Sequence, residues 1–203
     1  PLPTKKAAIV GSGIAGLATS VRLALHGYRV TVFEANDYPG GKLTEIQQDG
    51  YRFDAGPSLF TMPHFVTELF ELAGKSAEDY FSYQSLDVMT HYFWEDGTRL
   101  VAWADKERFI AELAEKLGEK PSSILRFLNK SKELYDISEH VFLKKSLHKL
   151  DTYFQKDTMR SMLQLHKLNI TRSMNAANER FFTNPKTVQF FNRYATYNGS
   201  NPY

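Results

Sequence analysis

The run Lys6-Ala-Ala-Ile-Val10 is short, apolar and closed by Gly11, a pattern that predicts a buried strand. The period then changes. Over residues 14–26, Leu17, Val21 and Leu25 fall on one helical face, and Gly27 follows as a residue that reaches left-handed dihedrals without a Cβ penalty. Arg29-Val-Thr-Val-Phe-Glu34 is a second, β-branched run. Strand, helix and strand in close succession make a βαβ unit, whose two strands are expected to lie parallel and adjacent with a right-handed crossover.

A polar loop with Gly and Pro follows at 36–42. Short strands are predicted at 44–48 and 51–54 around Asp49-Gly50, a strong hairpin signal. A helix is predicted over 63–73 with Gly74 behind it, and a second hairpin over 88–94 and 99–103 around Glu95-Asp-Gly-Thr98. Asp105 is placed to cap a helix reaching Leu117, with Ile110, Leu113, Ala114 and Leu117 inward and Gly118 after it. Helical patterns continue over 121–143 (Ile124, Phe127, Leu128, Leu134 and Ile137 apolar), 157–168 and 173–182, and Pro185 opens a last helix. The aromatic stripe over 181–197 is expected to be helix core, with the lining of an apolar tunnel as the functional alternative. No repeat or low-complexity stretch interrupts the order, which runs from α/β to a hairpin and then mostly to helix. The expected division is at 84/85.

Composition narrows the class. Of 203 residues, 42% are hydrophobic and 24% charged, an ordinary globular balance. Fifteen Phe, 11 Tyr and 2 Trp exclude a mostly disordered chain, and zero Cys excludes disulfides and thiolate-held zinc or iron–sulfur centres. No apolar run approaches the ~20 residues of a membrane span. The formal net charge of +2 hides an asymmetry: residues 1–100 carry 8 basic and 12 acidic side chains, residues 101–203 carry 17 and 11. The halves are therefore expected to be different structural units. The densest basic group is Lys144, Lys145, His148 and Lys149, read first as a solvated face and second as a contact for acidic lipid headgroups. No nucleic-acid recognition motif accompanies the charge.

The chemistry concentrates at the front. Gly11-Ser12-Gly13-Ile14-Ala15-Gly16 lies between the first strand and the first helix, the setting that a dinucleotide fingerprint requires. Gly11 permits the turn, Gly13 lets backbone approach a pyrophosphate, and Gly16 lets the helix pack closely. The helix N-terminus offers free N–H groups and partial positive charge to phosphates. Glu34, 21 residues beyond Gly13 and followed by Ala35, is placed to accept both ribose hydroxyls of an adenosine and to repel a 2′-phosphate. Gly40-Gly41-Lys42 sets two glycines beside a cation, suited to a backbone lying against a cofactor. Gly56-Pro57-Ser58 fixes an unusual backbone path whose amides are candidates to face a flavin. Each of these two stretches, taken alone, also reads as an ordinary turn.

Other chemistry is absent from the sequence. None of the six His pairs at metal-ligand spacing, so no metal site is expected. Ser12 does not sit in a nucleophile elbow, no P-loop is present, and no catalytic residue is assigned.

Gly11 to Lys42, with Leu17, Leu23, Gly27, Val30, Val32, Glu34 and the Gly40-Gly41 pair, resembles the signature of flavin-containing amine oxidases and their desaturase relatives. Asp54-Ala-Gly-Pro-Ser58, Thr61-Met-Pro63 and the closing Arg193-Tyr-Ala-Thr-Tyr-Asn-Gly-Ser-Asn-Pro-Tyr203 resemble the phytoene desaturase branch, the bacterial carotenoid desaturases. The middle, 85–180, matches only in general character. The resemblance implies an α/β fold: a Rossmann-like, glutathione-reductase-like FAD-binding domain begun by residues 1–84, and part of a second α+β substrate domain, mostly helical with a hairpin, in 85–203. It implies FAD as cofactor, a lipophilic carotenoid substrate, quinone or oxygen as electron acceptor, no nucleic acid, and a cytoplasmic location with peripheral contact at the inner face of the membrane. The expected reaction is desaturation by hydride transfer from an allylic carbon to FAD. Desaturation of a hydroxylated carotenoid at the 3,4 position, isomerisation, flavin amine oxidation and a non-catalytic nucleotide-binding fragment are the alternatives. Proteins of this family are considerably longer, so the chain is expected to be an N-terminal fragment.

Overall fold

The computed structural model describes residues 5–57, 59–139, 146, 148–164, 167–169 and 171–203, and for Asp157 the backbone alone. It divides into two compact units, Pro1–Gln84 and Ser85–Tyr203.

In the first unit, β1 (Lys5–Val10) and β2 (Tyr28–Phe33) pair in parallel, with Lys5 opposite Tyr28 and Val10 opposite Phe33. Between them α1 (Ile14–Leu25) packs on both strands. Gly27 takes φ +80° and donates to the carbonyl of Ala24, ending the helix as expected. The hairpin β3 (Glu45–Gln48) and β4 (Tyr51–Asp54) turns at Asp49 and Gly50, both at positive φ, which matches the twist of two antiparallel strands. Helix α2 (His64–Leu72) follows, and Arg22 of α1 lies 3.4 Å from Glu68 on it. Within this unit, Ser12 is the one buried residue among those described.

The second unit opens with the hairpin β5 (Val88–Phe93) and β6 (Arg99–Trp103). Helix α3 (Lys106–Leu117) starts at Asp105, whose carboxylate accepts the Arg108 N–H at 2.8 Å, and ends at Gly118 with φ +68°. Then come α4 (Pro121–Ser138), α5 (Leu150–Tyr153), α6 (Lys156–Leu163), α7 (Met174–Asn178) and α8 (Pro185–Asn192), with a 3₁₀ turn over Arg193–Asn198. Phe109, Leu113, Leu117, Ile124, Phe182, Phe190 and Phe191 form one core beneath β6. Phe182 and Phe191 stack with centroids 4.9 Å apart.

The aromatic stripe thus divides: its phenylalanines 182, 190 and 191 are core, while Tyr194 and Tyr197 are exposed. Three expected helices are shorter than their apolar patterns. Helix α6 stops at Leu163 and α7 at Asn178, beyond which the N–H groups of Phe181 and Phe182 donate to the Asn178 carbonyl at 2.9 and 3.2 Å and Phe182 lies in the core. Helix α8 tightens to 3₁₀ at Arg193. The far end of the 121–143 expectation, Lys144, Lys145 and His140 lie outside the described residues, as does His166, while His148 and Lys149 are exposed.

Candidate functional site

The turn from β1 into α1 is held by the Gly11 N–H, which donates to the Phe33 carbonyl at 2.7 Å. This bond ties the loop to the end of β2, where Glu34 emerges. The first backbone bond of α1 runs from Leu17 to the Gly13 carbonyl at 2.9 Å. The N–H groups of Ile14, Ala15 and Gly16 therefore stand at the helix start without an intrahelical acceptor. Gly16 has a steric reason to be glycine: a Cβ there would lie 2.1 Å from the Gly11 carbonyl oxygen. The close partner of Gly16 is the glycine turn itself, with the Ile9 side chain next.

The structure brings the second glycine pair onto the first. Gly40 donates to the Ser12 carbonyl at 2.9 Å and bridges Gly13 in parallel fashion. A Cβ on Gly41 would sit 3.1 Å from the Gly13 Cα. Residues 27 positions apart thus form one backbone cradle at the helix N-terminus. Gly56 lies behind it, so close to Lys42 that a Cβ would meet that carbonyl oxygen at 1.7 Å. Lys42 and Pro57 are exposed, and Ser58 lies outside the described residues.

Glu34 is the charged centre. Its Oε2 accepts from the Ser12 N–H at 2.6 Å and the Ser12 hydroxyl at 2.7 Å. Its Oε1 accepts from the Ala35 N–H at 2.9 Å, the Asn36 N–H at 3.0 Å and the Asn36 side-chain amide at 3.1 Å. These donors, the Asn36 N–H foremost and the Ser12 groups next, pull the carboxyl from its ordinary 4.5 down to about 2. It is ionised across the neutral range. Asn36 was not expected from the sequence to belong to the site. Its signal was its place in the turn after the strand, where an Asn side chain commonly bonds nearby backbone or side-chain groups.

The residues fit an adenine dinucleotide. Glycine positions that a Cβ would fill let backbone come close, unpaired helix-start N–H groups meet phosphate, and an ionised acid sits at the end of β2. Among the described residues there is no cluster of His, Cys, Asp and Glu to hold a metal ion, and no helix is long and apolar enough to cross a membrane. The second unit holds a separate open cavity of about 550 Å³, lined by Trp103, Phe109, Phe127, Phe191 and Tyr194, with Lys106 and Lys132 also on its wall.

The family of NAD(P)-binding Rossmann-like domains matches residues 9–75. The chain is 51% identical over 199 residues to a 1-hydroxycarotenoid 3,4-desaturase of Flavobacterium sp. (strain P99-3), covering 98% of this chain and 40% of that protein. It is 36% identical to a 4,4′-diapolycopene oxygenase of Methylomonas sp. (96% and 39%) and 32% identical to a hydroxyneurosporene desaturase of Rubrivivax gelatinosus (100% and 39%). The chain spans about two fifths of the length of these relatives.

Proposed function

We propose that this chain, related in sequence to the carotenoid desaturase branch of the flavin-containing amine oxidoreductases, provides the adenosine end of an FAD site and part of the substrate side of a carotenoid desaturase. The observation that carries the reading is the cradle: the 11–16 turn, the 40–41 pair and ionised Glu34 meet at one helix N-terminus. The N–H groups of residues 14–16 bind the pyrophosphate, and Gly13 and Gly41 keep side chains out of its path. Glu34 accepts the ribose hydroxyls, and its charge rejects a 2′-phosphate, which favours FAD over NADP. Lys42 adds positive charge beside the cradle. FAD held there would supply the hydride acceptor for desaturation at an allylic carbon, the neighbouring carbon losing a proton as the double bond forms, with a quinone or oxygen as the final electron acceptor. The apolar cavity of the second unit is suited to hydrocarbon, and a peripheral membrane contact would deliver so lipophilic a substrate.

Identity to the 1-hydroxycarotenoid enzyme makes a hydroxylated carotenoid the first substrate to offer. The test expresses the complete reading frame that encodes these residues, identifies the bound flavin, and follows the carotenoid by mass and absorbance. The expected result is stoichiometric FAD and a product two hydrogens lighter with a red-shifted spectrum. A protein that takes NAD and never FAD, or that holds FAD and leaves every carotenoid unchanged, refutes the reading.

A further inference from the structure

The carboxylate of Glu34 is already full. It accepts five hydrogen bonds, whereas a carboxylate offers about four lone-pair sites. A ribose diol must therefore displace donors that are present. The five are of two kinds. The N–H groups of Ser12, Ala35 and Asn36 belong to the backbone of the two turns that build the cradle, and they leave only if those turns are remade. The Ser12 hydroxyl and the Asn36 amide are side-chain groups, which leave by rotation about one or two bonds. They are divided between the oxygens, with Ser12 on Oε2 at 2.7 Å and Asn36 on Oε1 at 3.1 Å. A cis-diol meeting a carboxylate side-on needs one donor position on each oxygen.

We propose that the Ser12 hydroxyl and the Asn36 side-chain amide are resident stand-ins for a ribose diol, holding Glu34 in one orientation in the free protein and giving way to the 2′- and 3′-hydroxyls when an adenosine ligand binds. The inference rests on the assignment of Glu34 to ribose made above. It adds a second source of selectivity. Only a ligand that brings its own donors compensates for the two bonds that are lost; a 2′-phosphate dianion brings none at that position. The acid is thus kept charged and aimed without a ligand, and it accepts only an intact diol.

The test uses the full-length protein freed of flavin, with ADP and 2′,3′-dideoxy-ADP as probes, titrated against the wild type, Ser12→Ala, Asn36→Ala and Glu34→Gln. Each alanine removes a competing donor, so ADP affinity should rise about two- to tenfold, while dideoxy-ADP, which displaces nothing, should bind unchanged. Glu34→Gln should weaken ADP and leave dideoxy-ADP little affected. If both alanine variants lose ADP affinity or keep it unchanged, the side chains orient the acid rather than stand in for the diol, and the proposal falls. Equal changes for the two probes mark a disturbed turn and overturn it as well. A wild type that binds FAD yet shows no preference for ADP over dideoxy-ADP refutes the stand-in role alone. A wild type that binds no adenine nucleotide refutes the ribose assignment and the inference together.

Discussion

The two units divide their labour unevenly. Pro1–Gln84 carries the cradle and, among its described residues, almost no core: Val10 is 90% exposed, Phe33 57%, and neither α1 nor α2 buries a residue. Ser85–Tyr203 carries the core, with Leu113, Ile124 and Phe190 at 2% exposure or less. The first unit is shaped by backbone, through turns that accept only glycine and hydrogen bonds that converge on one acid. The second is shaped by apolar side chains filling a common volume. A parallel pair such as β1–β2 ordinarily has both faces covered; here α1 and the strands it packs on leave apolar surface open.

The largest effect should separate the units by stability. Phe190→Ala removes a fully buried ring and should cost about 3–5 kcal/mol, read by denaturant unfolding. Phe33→Ala, at a site exposed in this 203-residue chain, should stay within about 0.5 kcal/mol when measured on that chain. Similar costs would erase the contrast. The converse comparison uses Gly16→Ala. Its Cβ has no room against the Gly11 carbonyl, so the turn must shift, and FAD affinity in the full-length protein should fall on the order of 10²-fold while unfolding of the second unit is unchanged. Unaltered FAD binding would remove the cradle from the site.

Much of the local structure was legible because its causes are local. Asp49-Gly50 announces its hairpin, Asp105 and Gly118 bracket α3, and the glycine spacing with Glu34 marks the nucleotide turn. What was hidden depends on distant partners. The approach of Gly40–Gly41 to Ser12–Gly13 joins the fingerprint turn to a stretch that, taken alone, also reads as an ordinary turn, and no periodicity points one at the other. Glu119 is similar. It looks like a loop acid, yet it is buried and accepts the N–H groups of Thr183 and Asn184 at 3.1 and 2.9 Å, more than sixty positions away. That contact helps set the break between α7 and α8, where the apolar pattern favoured a longer helix. Glu119→Ala leaves both donors unpaired and should destabilise the second unit by about 1–3 kcal/mol, with FAD affinity untouched. A loss of FAD affinity in this variant would show that the units are not energetically separable.

The smallest effect is the sharpest on mechanism. Each unit has a carboxyl held down from 4.5 to about 2, Glu34 in the first and Glu133 in the second. Their causes differ. Glu34 is surrounded by neutral donors, the Asn36 and Ser12 groups first among them. Glu133 is bonded first by Lys130 and then by Lys167, both at 2.9 Å and partly exposed. Both folded values lie below the unfolded one, so both groups favour the folded state above about pH 4.5 and lose that contribution as pH falls towards 2. Salt should tell them apart. At 1 M the screening length is about 3 Å, which weakens attraction between exposed charges and leaves neutral dipoles largely unaffected. Carboxyl carbon NMR titrations at low and high salt should find Glu133 moving up towards its ordinary value and Glu34 staying near 2. Equal movement would mean that distant charge, rather than the turn itself, holds the acid of the cradle in its ionised form, and the contrast between a backbone-built unit and a side-chain-built one would fail at the residue on which it matters most.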